Sequence, residues 1–313
     1  MPQPVNIPAE SLRTALPFTT IASDALKLVT EAYTASRSGR SFAGLPTGLS
    51  SIDKALGGLQ KGLHILAAEP GAGKTALALN IASNIARMGS PVIYASFDET
   101  ADRLALKVLA ARSGLCMSDM TAGKVPPRKV AEAFEQYSAS LERLSFMPAD
   151  SSITPTDLID QLRDRLAYHE ALSGLLVVDY LQPWAAVMAA GKHTEFRMAV
   201  GAVALELRRV ASETNCPVLL ISAQNRTGQG TAKMTSLRES SDLEYGADSI
   251  MLLTHDDTAM VGMDKKAITL TLAKNRFGQS GLQLPLVLDG RYHTVNDADG
   301  AESQAYRFRH LES

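Results

Sequence analysis

Cysteine is nearly missing from this chain: 313 residues contain two, Cys116 and Cys216. They lie far apart, with no C-x-x-C and no Cys/His spacing, which excludes a zinc-ligand pattern and a disulfide framework. A reducing, cytoplasmic setting is the simple expectation. Long apolar runs are also lacking, and no stretch approaches the length that crosses a bilayer. The N-terminus shows no basic region followed by an apolar core, so neither an export signal nor a membrane partner is expected. There is little charge of one sign either, since the net charge is −2. No global positive field points to nucleic acid, and any such contact must be local. Internal repeats and low-complexity tracts are missing too. What remains is 45% apolar residues, ample for a large core.

The first residues, "MPQPVNIPAESLRTALPFTT", carry four prolines and read as a loose arm over 1–21. From Ala22 to Ser36 the pattern turns helical, with Leu26, Val29, Ala32 and Tyr33 recurring on one face. "SGRSFAGLPTG" breaks that helix, so 22–45 is expected to be a helix with a tether. After Leu63, strand-length apolar runs alternate with helical segments: "HILAA", "PVIYASF", "LSFMPA", "GLLVVDY", "PVLLIS", "SIMLLTH", "AITLTLAK" and "LPLVLD". Continuous apolar strands suit a parallel sheet covered on both faces. The fold class expected over 46–296 is therefore α/β, a mostly parallel twisted sheet flanked by helices. The last two runs, around "NRFGQSGLQ", read as antiparallel edge strands, and 297–313 as a polar tail.

One motif stands out. "AEPGAGKTA", Ala68 to Ala76, joins an apolar strand to a helix. In the turn that Pro70 opens, small residues let the backbone N–H groups of Gly71-Ala72-Gly73 and the residues after them close around phosphates, and the helix N-terminus adds its dipole. Lys74 would reach the β- and γ-phosphates and Thr75 would offer its hydroxyl to Mg²⁺, which makes ATP with Mg²⁺ the expected cofactor pair. Ala68 stands where the usual pattern has its first glycine. "GLLVVDYLQ" ends a strand in Asp179, an acid suited to holding Mg²⁺, in most such sites through water. "YASFDET" ends the second strand, which in many such sheets neighbours the phosphate-loop strand. It offers Asp98 and Glu99 as the carboxylate that orients the attacking water. The lesser alternative is that they start the next helix, Asp98 as its N-cap and Glu99 as a first-turn acid.

"SAQNRTGQGTAKMTSLRESSDLEYGAD" is a long polar segment after a buried strand, where function often sits. Arg226, Lys233 and Arg238 supply charge without interleaved aromatics, a pattern for phosphate contact more than base stacking. Lys274 and Arg276 in "AKNRFGQSG" lie two apart and share one side of a strand. They could pair with carboxylates of their own surface or reach a neighbour's nucleotide. The segment "PWAAVMAAGKHTEF" leaves open a second contact loop at Lys192 or a plain connector, with Trp184 as a packing residue.

These blocks, in this order, resemble the RecA-type ATPase domain of DnaB-family replicative helicases from about Ala22 to Val295. That family's phosphate loop often begins with Ala and has Pro two residues later, as Ala68 and Pro70 do here. Pro46-Thr47-Gly48, "VVDYLQ", "SLRESSDLEYGAD" and "AKNRFG" fit further family blocks. The resemblance implies a ring of identical chains, usually a hexamer, with ATP between subunits, single-stranded DNA in a central channel and a helicase loader as a possible partner. It implies that Lys274 and Arg276 act in trans, that Arg238, Glu239 and Ser241 belong to a DNA-backbone loop, and that the Ala22 to Ser36 helix docks on an adjacent subunit. Unwinding would run 5′ to 3′. The family's catalytic Glu aligns with Asp98. Its polar sensor aligns with Ala223, with Gln224 next to it. The segment before Ala22 is too short for the family's collar domain, so primase contact by that route is not expected. Two competing expectations stand beside the helicase. One is a RadA-like recombination ATPase, which shares "KNRFG". The other is an ATP-binding assembly protein with weak hydrolysis, suggested by positions 98 and 223.

Overall fold

The computed structural model describes residues 18–37, 43–150, 152–192, 196–223, 241–260 and 265–298. The chain divides into two compact units, Met1–Ala43 and Gly44–Ser313. In the first, the described part is the helix α1 (Phe18–Arg37). It begins four residues before Ala22, taking in the end of the segment read as a loose arm. Leu26 and Val29 are each 66% exposed and Tyr33 is 61% exposed, so these three apolar side chains are uncovered.

The second unit runs α2 (Ser50–Leu56), β1 (Gly62–Ala68), α3 (Lys74–Arg87), β2 (Val92–Ser96), α4 (Ala101–Ser113), α5 (Met117–Thr121), α6 (Pro127–Leu141), β3 (Leu144–Pro148), α7 (Pro155–Tyr168) and β4 (Leu175–Asp179). It continues with α8 (Leu181–Lys192), α9 (Phe196–Thr214), β5 (Pro217–Ala223), α10 (Ser241–Gly246), β6 (Ser249–Met260), β7 (Lys265–Asn275), β8 (Gln283–Asp289) and β9 (Thr294–Asp297). The strands form one sheet in the order β3-β2-β4-β5-β1-β6-β7-β8-β9. Strands β3 to β6 pair in parallel, and β6 to β9 continue as antiparallel neighbours. The eight expected strands are present. The ninth, "TVND", is too short and polar to show a period.

Side-chain alternation splits the core into two layers. On one face Leu66 and Ala68 of β1, Val177 of β4, Ile221 of β5 and Leu253 of β6 pack with α2, α3 and α4. On the other, Ile65, Ala67, Val178, Leu220 and Leu252 pack with α7, α8, α9 and α10. With both faces covered, all seven residues of β1 are buried, even His64, whose ring nitrogens contact Ser249 Oγ (2.8 Å) and the Gln60 carbonyl (2.7 Å). One expectation fails. Strand β2 is not next to β1, because β4 and β5 lie between them. Each crossover helix needs room on the sheet, and the chain fills the positions beside β1 only with later strands.

The sheet's last strand is fastened to the unit's first helix. Asp297 accepts from the N–H groups of Ser50 (2.7 Å) and Ser51 (3.1 Å) and from the Ser51 hydroxyl, serving orphan donors at the start of α2. Within the same segment Asp53 accepts from the N–H and hydroxyl of Thr47 (2.7 and 2.8 Å) and the N–H of Gly48 (3.2 Å). Asp297→Ala should cost about 1 kcal/mol, the usual scale of a lost helix cap. Urea unfolding of the full chain checks this; an unchanged midpoint would mean that the cap contributes nothing.

Candidate nucleotide-binding site

The C-terminal end of β1 opens into the loop Glu69–Gly73, and α3 begins at Lys74. Ala68 is still strand, paired with Ala223 of β5 and Leu253 of β6 and fully buried, so an extended L-residue fits where many phosphate loops have glycine. The left-handed turns fall instead at Gly71 (φ 81°) and Gly73 (φ 97°). A Cβ on Gly73 would lie 2.8 Å from Leu288 Cδ2 of β8, so the loop also packs too closely there for a side chain. Pro70 and Gly71 are exposed, Ala72 and Ala76 are buried beneath the turn, and Lys74 and Thr75 are half-buried. Lys74 Nζ donates to the carbonyls of Ala68 (3.0 Å) and Glu69 (2.9 Å). Burial pushes the Lys74 ammonium below its ordinary pKa, with Asp179 and Glu69 opposing the shift.

Asp179 closes β4 on the α3 side of the sheet. One carboxylate oxygen, Oδ2, accepts from Thr75 Oγ1 (3.1 Å) and from the Tyr94 hydroxyl (2.6 Å). Burial raises its pKa from the usual carboxylate value, while the Tyr94 and Thr75 hydrogen bonds pull the other way. Tyr94, itself fully buried, is pushed well above the ordinary tyrosine range by burial first and then by the Asp179 charge. The peptide bond between Asp179 and Tyr180 is cis. Thr75 and Asp179 thus form a hydroxyl–carboxylate pair at the phosphate loop, a donor set that fits Mg²⁺, which prefers hard oxygen ligands and keeps several waters.

Asp98 and Glu99 follow β2 on the same edge. The helix N-cap is Thr100, not Asp98, so the capping alternative for Asp98 does not hold. The helix starts two residues later than the residue pattern suggests, because Ser96 Oγ bonds both the N–H (3.1 Å) and the carbonyl (2.7 Å) of Glu99. Glu99 is ion-paired with Lys107 of α4, whereas Asp98 is exposed. Both charges reach Asp179 and raise its pKa. Phe97 stacks on Trp184 of α8 at 5.4 Å, so the tryptophan is a packing residue.

Lys274 and Arg276 lie elsewhere. Strand β7 runs antiparallel to β6, with Ile250 opposite Lys274, and this puts the pair beside the N-terminal end of β1. Arg276 Nη1 pairs with Asp248 Oδ1 (2.8 Å), Arg276 Nη2 donates to the Tyr245 carbonyl (3.3 Å), and Lys274 Nζ donates to the Glu244 carbonyl (2.5 Å). Of the remaining predicted residues, Gln224, Arg226, Lys233, Arg238 and Glu239 lie outside the described residues. Ser241 is the first residue of α10 and Lys192 the last of α8, their side chains likewise outside.

The residue pattern did not single out Tyr94, Lys107 or Gln182. Gln182 sits inside the quoted "VVDYLQ". Its amide brackets the end of β5, Oε1 accepting from Ala223 N (3.2 Å) and Nε2 donating to Ala223 O (3.1 Å) and Ser222 Oγ (3.0 Å). The β4–β5 ladder stops at Val178 and Leu220, so Gln182 replaces the missing strand neighbour.

Residues 44–297 match the DnaB-like helicase C-terminal domain. The chain belongs to that family. The replicative DNA helicase DnaB of Geobacillus stearothermophilus is 30% identical over 250 residues, 77% of this chain and 54% of the relative. DnaB of Haemophilus influenzae is 27% identical over 275 residues, 84% and 57%. The replicative DNA helicase DnaC of Bacillus subtilis is 29% identical over 250 residues, 77% and 54%. The chain therefore spans about half the length of the curated relatives it matches. Among solved structures, one ATPase domain superposes with a TM-score of 0.76 at 19% identity, covering 88% of this chain and 98% of that one. A DnaB-like replicative helicase, solved for its interactions with primase, gives 0.74 at 19% identity, covering 87% and 66%. These two likenesses show the fold alone, the RecA-like arrangement of the DnaB-like domain. The described residues contain no helix long and apolar enough to cross a membrane.

Tyr94→Phe removes a hydrogen bond to a buried carboxylate and should lower stability by about 1.5–3 kcal/mol, the range for bonds to charged groups. Urea unfolding reads this directly, and an unaltered stability would show that Asp179 does not depend on the hydroxyl.

Proposed function

We propose that this DnaB-like domain is an ATP-hydrolysing motor that assembles into a ring, probing the nucleotide of one chain with the cations of the next, and that it translocates on single-stranded DNA to unwind duplex. The observation that carries this reading is the separation of two half-sites. The phosphate loop leaves the C-terminal end of β1, and Lys274 and Arg276 stand at its N-terminal end, beside Asp248 and Leu63. Five residues of strand, roughly 17 Å at 3.3 Å per residue, separate the two through the middle of the sheet. One chain cannot bring them together. Two copies can, when the N-terminal edge of one meets the loop of the other, as in a ring closed by head-to-tail contacts.

In this reading Lys74 and the backbone of Pro70 to Ala76 hold the phosphates of ATP. Thr75 and Asp179 would hold Mg²⁺. The bound ion would supply neutralisation of charge at the β- and γ-phosphates. Asp98 or Glu99 orients the attacking water; Asp98 has the open position, and Glu99 is engaged by Lys107. Gln224, next to the position of the family's polar sensor, would report on the γ-phosphate. Arg226, Lys233, Arg238, Glu239 and Ser241 would contact the DNA backbone. The exposed face of α1 finds its cover on a neighbouring chain, in a hexamer if the family pattern holds, with 5′ to 3′ polarity and a helicase loader as partner. The setting is the cytoplasm. Family membership favours this reading over the RadA-like one.

Steady-state ATP hydrolysis with and without single-stranded DNA tests the motor, with Lys74→Ala as the control for contaminating activity. DNA stimulation that Lys74→Ala abolishes, followed by unwinding of a forked duplex, is the expected result. Binding of ATP without turnover under either condition would make the protein an assembly factor instead. Arg276→Ala should keep nucleotide affinity within about twofold while lowering kcat by about 10³ or more, the scale of a lost arginine finger. Parental turnover in that variant would remove Arg276 from the site.

A further inference from the structure

We propose that Asp248 is a positioning residue for Arg276: it holds the guanidinium in place on the N-terminal edge of the sheet, aimed at the γ-phosphate bound by a second copy of this chain. The inference rests on the trans-acting reading of Arg276 given above and adds to it the residue that fixes the finger's geometry.

Asp248 lies between α10 and β6, and its own position is unusually constrained. Its N–H donates to the Leu63 carbonyl (2.7 Å), and its Oδ2 accepts from the Leu63 N–H (2.9 Å), so the carboxylate is tied to β1 by its backbone and its side chain together. The approach is close enough to need a residue without a side chain opposite. Gly62 has φ 140°, and a Cβ there would lie 2.4 Å from Oδ2. The second oxygen, Oδ1, faces outward. It meets Arg276 Nη1 at 2.8 Å and Arg208 Nη2 of α9 at 4.0 Å. The Arg276 backbone joins in as well, donating its N–H to the Asp248 carbonyl (2.9 Å). The Tyr245 carbonyl then takes a bond from Nη2 at 3.3 Å and sets the plane of the guanidinium.

An exposed ion pair is ordinarily worth little, because two long side chains lose freedom to form it and water screens it. Here the acid is short, already tied down, and only 13% exposed, while Arg276 is 42% exposed. Most of the ordering cost falls on strand β1, which is rigid in any case. Lys274, Arg276 and Arg208 converge on this corner, and Lys274 has its pKa lowered by burial first and by Arg276 next. Without the Asp248 charge, three cations would repel one another and Arg276 would lose its preferred direction. A guanidinium has five N–H donors. The two contacts described engage one on each Nη, which leaves donors to meet an incoming phosphate in the fork geometry that suits it. A small misplacement of such a group is costly to rate and nearly silent in ground-state binding.

The test uses the full chain and Asp248→Asn, which keeps an oxygen for the Leu63 N–H and removes the charge that orients Arg276. ATP hydrolysis should fall about tenfold or more in kcat, with the affinity for a fluorescent ADP analogue changed less than about twofold. Combined with Arg276→Ala, it should add no further loss, since both variants disable one finger. Mixing is the deciding measurement. Lys74→Ala chains are inactive at their own loop but carry an intact finger, so adding them should restore turnover to Asp248→Asn chains several-fold, as it should for Arg276→Ala chains. Asp248→Glu, which keeps the charge and displaces it by one methylene, should behave in the same way with a smaller loss.

Parental or faster hydrolysis by Asp248→Asn would overturn the proposal, since the acid would then be idle or would restrain the finger. Loss that Lys74→Ala chains rescue in Arg276→Ala but in neither Asp248 variant would also overturn it, and leave the trans reading of Arg276 intact. Parental turnover by Arg276→Ala would bring down the trans reading itself.

Discussion

Burial of one strand governs the rest of this molecule. Strand β1 has parallel partners on both sides and helices on both faces, and none of its seven residues meets solvent. A strand so placed cannot shift register without driving its entire apolar set into the wrong layer. Its two ends are therefore fixed points. At one, a loop with left-handed glycines opens into α3. At the other, Leu63 offers both backbone groups to Asp248. The phosphate-loop turn and the Asp248–Arg276 pair are thus held at the two ends of one buried strand.

The charge distribution follows the same plan. A net charge of −2 hides a separation along the strand direction. Carboxylates gather at the C-terminal end of the parallel strands, where Asp98 and Glu99 add to the cost of ionising Asp179. Cations gather at the opposite end, with Lys274, Arg276 and Arg208 around one acid. Neither grouping is visible in the overall composition.

How much of this was legible in the residue order depends on the range of the interaction involved. The phosphate loop could be read because strand, turn and helix are consecutive, and the eight apolar strands because each carries its own pattern. Tyr94 could not be read. Its hydroxyl meets Asp179 because β2 and β4 are neighbours with Tyr94 opposite Val177, which no local window shows. Gln182 was quoted within a motif, yet its task follows from where the β4–β5 ladder ends. Asp248 was likewise visible as a letter in "EYGAD" and acquired a role only through β1, some 185 residues earlier in the chain. The cap lies at Thr100, two residues past the acid that could have served, because Ser96 tightens the turn between them. Strand β9 escaped since it is held by its neighbour's edge, not by its own hydrophobicity.

The contact between Asp297 and the start of α2 joins residues 246 and 247 positions apart. Strand β9 also braces the helix behind the phosphate loop, where Asn80 Nδ2 donates to the His293 carbonyl and Asn80 Oδ1 accepts from Val295 N. Contacts of such long range form late, after the intervening chain has been closed into a loop. On the ribosome, α3 therefore emerges early but waits for the last strand of the core before its final packing is complete. A chain truncated before β9 would hold the phosphate-loop sequence without the support behind it.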